Sequence, residues 1–203
     1  MRWLAAVLVL GLIMGMAAPG VAQKDDTGAI LLVAAPGLTD PDYRHTVLIA
    51  VPVEGNRHVG VIINRPTQRS LASLFPEHEP SKLVRDPVFL GGPMLRRAIF
   101  AMVRTDHSPG GGSIQVMKHL FLATQGTVVD EIIEKTPNDA RYFVGYVAWR
   151  PGELRQEVDR GLWHVLDADE EMVFRKDTDS LWEELLRRAR AVTASRRAIV
   201  PRA

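Results

Sequence analysis

Short apolar runs that stop at proline or glycine constrain the fold of this chain more than any other feature. Two of them are joined near Gly55-Asn56, a dipeptide that tolerates positive φ, and another runs into Gly91-Gly92-Pro93. Runs of this length, rich in β-branched and aromatic residues, predict sequential strands linked by hairpins. They span, in chain order, residues 29–38, 45–66 (two runs), 87–93, 97–105, 113–124, 141–149, 162–166 and 171–174.

Helical spacing of apolar residues is confined to a few segments. Ser70 opens a short helix that Pro76 closes, and Val128 with Ile132 and Ile133 marks a second helix. Two more are expected over 151–161 and after Ser180, which has Glu183 three residues later in a capping-box pattern. The sequence shows no internal repeat or separating linker. It predicts an α+β fold: a single compact domain with a large, mixed, mostly hairpin-linked β-sheet and about three to four helices.

The first 22 residues have the pattern of a bacterial signal peptide. Arg2 precedes an apolar run from Leu4 to Met16, and small residues precede a cleavage site after Ala22. We therefore expect residues 1–22 to be removed, 23–190 to form the domain and 191–203 to form a basic C-terminal tail. The predicted location is periplasmic; an uncleaved membrane anchor and a cytoplasmic chain are the alternatives. No cysteine is present, so no disulfide stabilises the fold.

Charge is divided unevenly along the chain. Residues 23–186 hold 18 basic and 24 acidic residues, a net charge of −6, whereas residues 187–203 hold six arginines and no acid. An acidic body is a poor match for a polyphosphate backbone, so nucleic acid is an unfavoured partner. We expect an unknown small-molecule or protein partner in the cell envelope, with membrane contact only through an uncleaved N-terminus or weak contacts of the basic tail.

Familiar catalytic and cofactor signatures are missing from the sequence. There is no G-x-S-x-G nucleophile elbow, and the six histidines are scattered singly without H-E-x-x-H spacing. The acidic stretch at 167–171 lacks the spacing of an EF-hand loop. The sequence therefore assigns no catalytic residue, no metal ligand and no cofactor. This argues against an enzyme, although an enzyme with an unrecognised site stays an open alternative.

The glycine pair at the end of "VFLGG" allows two interpretations. Gly91 and Gly92 are able to present backbone amides to an anion, with Arg96 and Arg97 nearby, and Asn64-Arg65 ends another strand. However, no P-loop lysine and no G-x-G-x-x-G spacing accompany the pair. A structural turn is the favoured interpretation, and an anion pocket is the alternative.

Four blocks in a fixed order resemble a known bacterial family. "LLVAAPGLTDPDYRHTVL", "GVIINRPT", "VFLGGPM" and "FVGYVAWRPGELRQEVDRGLW" are similar to the AlgH/YqgE family, over about residues 28–190. The resemblance implies a compact α+β fold with a large mixed sheet and no established catalytic residues. It also implies the label of transcriptional regulator, which comes from an association with alginate production in one branch. The matching positions are Pro36, Asp40, Pro41, Asn64, Pro66, Gly91, Gly92, Pro93, Gly145, Tyr146, Trp149, Glu153, Leu154, Glu157 and Trp163.

An export signal is a departure from typical members of that family, which begin at the first strand. Because a periplasmic protein does not contact chromosomal DNA, the signal argues against the regulator label. Polar residues beside the strand-end turns instead suggest a small-molecule or peptide pocket in a non-enzymatic binding or regulatory protein. An enzyme or a DNA-binding regulator are the alternatives. The candidate pocket residues are Asp40, Asn64, Arg65, Gly91, Gly92, Glu153 and Glu157.

Overall fold

The computed structural model describes residues 27–199, and side chains through residue 195. The predicted signal peptide and the last four residues of the predicted basic tail lie outside this range. Within residues 27–199, no helix is both long enough and apolar enough to cross a membrane.

Ten strands form one sheet: β1 (Ile30–Ala34), β2 (Val47–Val53), β3 (Arg57–Ile62), β4 (Pro66–Ser70), β5 (Pro87–Leu90), β6 (Met94–Arg104), β7 (Ser113–Met117), β8 (Leu120–Ala123), β9 (Ala140–Trp149) and β10 (Trp163–Asp167). Eight of them lie in the order β10-β1-β2-β3-β9-β6-β8-β7, and β4 and β5 lie off this path. Strand β5 pairs in parallel with β9 and antiparallel with β4, while the other pairs are antiparallel, so the sheet is mixed. The expected single α+β domain with a mixed, largely hairpin-linked sheet is confirmed.

Five α-helices pack on or beside this sheet, where the sequence predicts about three to four. A 3-10 helix over Glu79–Leu83 adds a short connection. The α-helices are α1 (Leu71–Leu74), α2 (Gly126–Lys135), α3 (Glu153–Asp159), α4 (Glu170–Phe174) and α5 (Leu181–Ile199).

Helix α4 corrects one sequence prediction, because residues 171–174 were expected to form a strand. The Asp169 side chain accepts a hydrogen bond from the Glu171 amide and so caps the helix. Glu170 and Glu171 lie in its first turn, where negative charge is favourable. A run of three apolar residues, 172–174, has too few positions to distinguish a period of two from one of 3.6. The acidic residues before it were the better signal.

The hairpin between β2 and β3 forms as predicted. Gly55 and Asn56 take φ values of 74° and 56° in the three-residue loop, 54–56, that joins the paired residues Val53 and Arg57. Strand β4 was not predicted, since its sequence is polar and its residues are mostly exposed. It pairs with β5 at the edge of the sheet.

Strand β9 lies at the centre of the sheet and contacts all three parts of the core. Phe143 belongs to the largest cluster, which also contains the buried face of α5; Tyr142 packs with α2, and Trp149 packs with α3. Residues 58–60 of β3 and the start of β6 pair with the C-terminal half of β9, and the end of β5 pairs with residues 143 and 144. This arrangement places the predicted strand-end residues beside the middle and the C-terminal end of β9.

Candidate functional site

Asn64 and Arg65 hold the turn of residues 40–46 that precedes β2. The Asn64 side chain accepts a hydrogen bond from the buried Val47 amide at 2.8 Å and donates one to the His45 carbonyl at 3.0 Å. Arg65 donates to the carbonyls of three turn residues at 2.8–3.1 Å: Pro41, Asp42 and Arg44. Partial burial lowers the pKa of Arg65, and the neighbouring Arg44 and Arg96 act in the same direction. Both side chains therefore fix the shape of the turn.

Acidic side chains of the same turn have defined partners. Asp40 accepts a hydrogen bond from the Asp42 amide at 2.8 Å, a local contact typical of aspartate in turns. The carboxylate of Asp42 lies 2.6 Å from the guanidinium of Arg96, which belongs to β6. This half-exposed ion pair links the turn to the start of β6.

The pair Gly91-Gly92 forms a close crossing with β9. The Gly91 amide donates to the Val144 carbonyl, and its carbonyl accepts from the Ile62 amide, both at 2.8 Å. A Cβ atom at Gly91 would lie 2.4 Å from the Gly145 oxygen, and one at Gly92 would lie 2.3 Å from the Tyr146 oxygen. Glycine is required here because backbone meets backbone.

A wide bulge in β6 follows this crossing directly. Between the pairs Met94–Tyr146 and Ile99–Val144, the register advances five residues on β6 and only two on β9. The bulge holds Leu95 at φ 49°, in the left-handed region, with 63% of its surface exposed. Leu95 is thus both conformationally restricted and presented to solvent.

Glu153 and Glu157 both belong to helix α3. Glu153 accepts a hydrogen bond from the Arg150 amide at 2.8 Å and so ties the turn before α3 to the first residue of the helix. One oxygen of Glu157 accepts from the indole N–H groups of Trp149 at 2.9 Å and Trp163 at 2.8 Å. The carboxylate of Glu157 therefore joins β9 to β10.

Tyr43 connects α3 to the turn of residues 40–46. Its ring packs edge-on against Trp163, with centroids 5.9 Å apart. Burial, and after it the negative charges of Glu157, Asp40, Asp42 and Glu153 in that order, raise the pKa of Tyr43 to about 12. A phenol held in the neutral form is a hydrogen-bonding and packing group, not a base at neutral pH.

The structure places Asp40, Asn64 and Arg65 in or against the turn of residues 40–46. Gly91 and Gly92 lie beside residues 144–146, in the middle of β9, and Glu153 and Glu157 lie on α3, beyond its C-terminal end. Sequence reasoning missed Asp42, Tyr43 and Leu95. The first two lie within the quoted block "TDPDYRH", and Leu95 is an apolar residue between a glycine-proline turn and two arginines, which is an available signal for exposure. Among residues 27–199, no three histidine or acidic side chains are grouped as metal ligands.

Comparison with known proteins agrees with this architecture. The AlgH-like family model matches residues 31–193. A UPF0301 protein of Thermobifida fusca is 33% identical over 80% of this chain and 86% of its own length. A UPF0301 protein of Caulobacter vibrioides is 30% identical, covering 80% and 88%.

Two solved structures share the fold. A protein of Corynebacterium diphtheriae superposes with a TM-score of 0.64 at 22% identity, covering 82% of this chain and 89% of that one. The solution structure of the AlgH protein from Pseudomonas aeruginosa gives 0.61 at 22% identity, covering 93% and 94%. The chain belongs to the AlgH-like family, as its four sequence blocks indicate.

Proposed function

We propose that this protein is an exported, non-enzymatic binding or regulatory protein of the cell envelope. Its partner docks on a recognition face made of the turn of residues 40–46 and the β6 bulge of residues 95–98. The exposed Leu95 in the left-handed region carries the proposal. Restricted backbone conformations of bulky residues persist only where the surrounding structure enforces them, and they concentrate at functional sites.

Positive φ values at non-glycine residues support this choice of face. Among the described residues they occur at His45, Asn56 and Leu95. Asn56 is explained by its place in the three-residue loop of the β2–β3 hairpin, whereas His45 and Leu95 lie on the recognition face. The Arg96–Asp42 ion pair joins their two segments. The fold therefore holds two strained positions at one surface.

The chemistry of the face favours a ligand with apolar and acidic groups. Leu95 and Met94 are exposed, and so are the arginines at 44, 96 and 97. In the two segments of the face, Asp40 and Asp42 are the only acidic residues that offset these arginines. The body of the protein, by contrast, has a negative net charge. A small carboxylate-bearing molecule or an acidic peptide fits such a surface. Contacts come from side chains, since the Gly91 amide is already bonded to β9.

Binding is favoured over turnover because the acidic candidates already have structural partners. Glu157 accepts from two indoles, Glu153 accepts from an amide, and Asp40 accepts from the Asp42 amide. A general base needs a carboxylate that is open to its substrate. In this arrangement the carboxylates shape the face.

The test places a photoreactive amino acid at Leu95 in the native host. A matched control carries it at Leu83, which is 60% exposed and lies in the 3-10 helix away from the face. We expect an adduct of one discrete mass at position 95, absent at position 83 and lost when Arg97→Glu is added. An added Arg85→Glu should leave the adduct unchanged. Equal adducts at both positions would refute the recognition face.

Mass spectra of the recovered protein also test export. A periplasmic chain that begins at Gln23 supports cleavage after Ala22, while an intact chain in the membrane fraction makes residues 1–22 an anchor. A soluble cytoplasmic chain would overturn the export part of the proposal without affecting the face. Chemical conversion of the captured compound by the wild-type protein would instead favour the enzyme alternative.

A further inference from the structure

Helix α5 has two halves with different surroundings. Leu181, Leu185, Leu186 and Ala189 are buried against the sheet, and the Trp182 indole donates to the Ala34 carbonyl at 2.8 Å. Every residue from 190 to 195 is exposed, although the helix continues to Ile199. At 1.5 Å per residue, the last ten residues extend about 15 Å beyond the packed half.

Positive charge is concentrated in the same half of α5. Residues 187–203 contain arginines at 187, 188, 190, 196, 197 and 202 and no acid. No acidic residue stands three or four positions from Arg190, Arg196 or Arg197, so these arginines gain no pairing along the helix. Interaction with the helix dipole is confined to the last turn and does not explain Arg190. The sequence of the projecting half is therefore cationic throughout.

A groove opens where this half leaves the body. It has a volume of about 280 Å³ and is lined by His164 of β10 and by Arg190, Thr193 and Ala194 of α5. Arginine and imidazole N–H groups are donors suited to phosphate oxygens. The groove thus adds a place for a phosphate group at the base of the cationic helix.

We infer that the projecting half of α5 docks on an anionic lipid bilayer, with a headgroup phosphate between Arg190 and His164. Charge complementarity favours this occupant, because an arginine held near an anionic membrane strengthens binding about fivefold.

Apolar residues among the arginines distinguish a bilayer from a nucleic acid. Val192 is 37% exposed, and the sequence continues with Ile199 and Val200. Apolar side chains beside arginines suit the boundary between headgroups and acyl chains. Residues 187–203 contain no aromatic side chain on which bases stack.

Vesicle co-sedimentation tests the inference, with the full chain and with the chain that begins at Gln23, which retains every described element. Vesicles of phosphatidylglycerol and phosphatidylcholine in equal parts are compared with pure phosphatidylcholine. We expect the Gln23 chain to bind only the anionic vesicles and to be released by high salt. The triple variant Arg190→Gln, Arg196→Gln, Arg197→Gln should bind about a hundredfold more weakly.

A matched triple variant controls for net charge. Arg69→Gln, Arg85→Gln, Arg155→Gln removes the same charge from exposed positions of the body. The inference predicts nearly unchanged binding for this control. Equal losses in the two triples, equal binding to both vesicle types, or vesicle binding that survives the α5 substitutions would each overturn it. If the α5 triple variant lost binding to duplex DNA but kept binding to vesicles, the inference would be wrong and nucleic acid would be the favoured partner.

Discussion

The two ends of strand β9 bury polar side chains in different ways. At the C-terminal end, the Glu157 carboxylate accepts from Trp149 and Trp163, and the Arg65 guanidinium nearby donates to three carbonyls. At the N-terminal end, Arg141 is 1% exposed and lies over the ring of Phe89 at 4.2 Å. Its Nη2 donates to the Arg175 carbonyl at 3.0 Å and lies 3.4 Å from Asp86. Within the described part of the chain, Nε and Nη1 of Arg141 have no hydrogen-bond partner.

This contrast separates positions set by backbone geometry from positions set by packing. Near Gly145 the polar groups have hydrogen-bond partners and the backbone segments are in contact, so no space is left for an added side-chain atom. Near Arg141 a charge is buried with unmatched N–H groups, and burial lowers its pKa against the opposing effect of Asp86. Such a charge contributes little net stability, although removing one partner alone is harmful.

Gly145→Ala should produce the largest effect, because it adds an atom at the crossing. A Cβ atom at this position would lie 2.4 Å from the Gly92 oxygen and 2.7 Å from the Met94 oxygen, and the residue has φ 73°. We expect a loss of about 4 kcal/mol or more in the free energy of unfolding, measured with urea.

Gly152→Ala is the matched control for that substitution. Gly152 has φ 79°, yet nothing lies within 4 Å of its added Cβ, so only the backbone penalty of about 1–2 kcal/mol applies. Similar losses for the two variants would mean that the crossing relaxes easily. The comparison between the two ends of β9 would then fail.

Replacing the two arginines with methionine should have unequal effects. Arg65→Met leaves three turn carbonyls without their donor, and we expect a loss of about 2 kcal/mol in unfolding free energy. The double replacement Arg141→Met, Asp86→Asn removes the buried charge together with its charged partner, and it should stay within about 1 kcal/mol of wild type. Arg141→Ala leaves a cavity and an unpaired Asp86, and it should cost about 3 kcal/mol. If the double replacement costs as much as Arg141→Ala, the buried charge itself is stabilising and the contrast is wrong.

Local signals account for the parts of the fold that the sequence predicted. Gly55-Asn56 specifies its own turn, and Val128 with Ile132 specifies the buried face of α2, so neither depends on distant residues. Strand β4 was missed because it has no apolar pattern and exists through its pairing with β5. Helix α4 was missed because its apolar run is short and its cap lies outside that run.

The sequence indicated that the candidate residues lie at strand ends, but it did not indicate their contacts. Asn64 and Arg65 follow one predicted strand, and Gly91 follows another. The hydrogen bonds of Asn64 and Arg65 to a turn 17–24 residues earlier depend on the register of β2 and β3. The contact between Arg141 and Asp86 spans 55 residues, and no local pattern signals it. Tertiary contacts of this kind decide which polar groups remain available to a ligand.

Tyr43 and Tyr142 allow the two regions to be compared by their stability at alkaline pH, where we expect the smallest effect. The folded pKa of Tyr43 is about 12 against an ordinary value of 10, so between these values the folded chain holds a proton that the unfolded chain has released. Stability therefore falls as pH rises through this window. Tyr43→Phe should reduce the loss of stability with rising pH, measured as the unfolding midpoint, and leave stability at pH 8 nearly unchanged.

Burial also raises the pKa of Tyr142, but its hydroxyl donates to the Pro137 carbonyl at 3.2 Å. Tyr142→Phe should therefore lower stability already at pH 8. If Tyr43→Phe loses stability between pH 10 and about 12 as steeply as wild type, Tyr43 is not the group whose ionisation causes that loss.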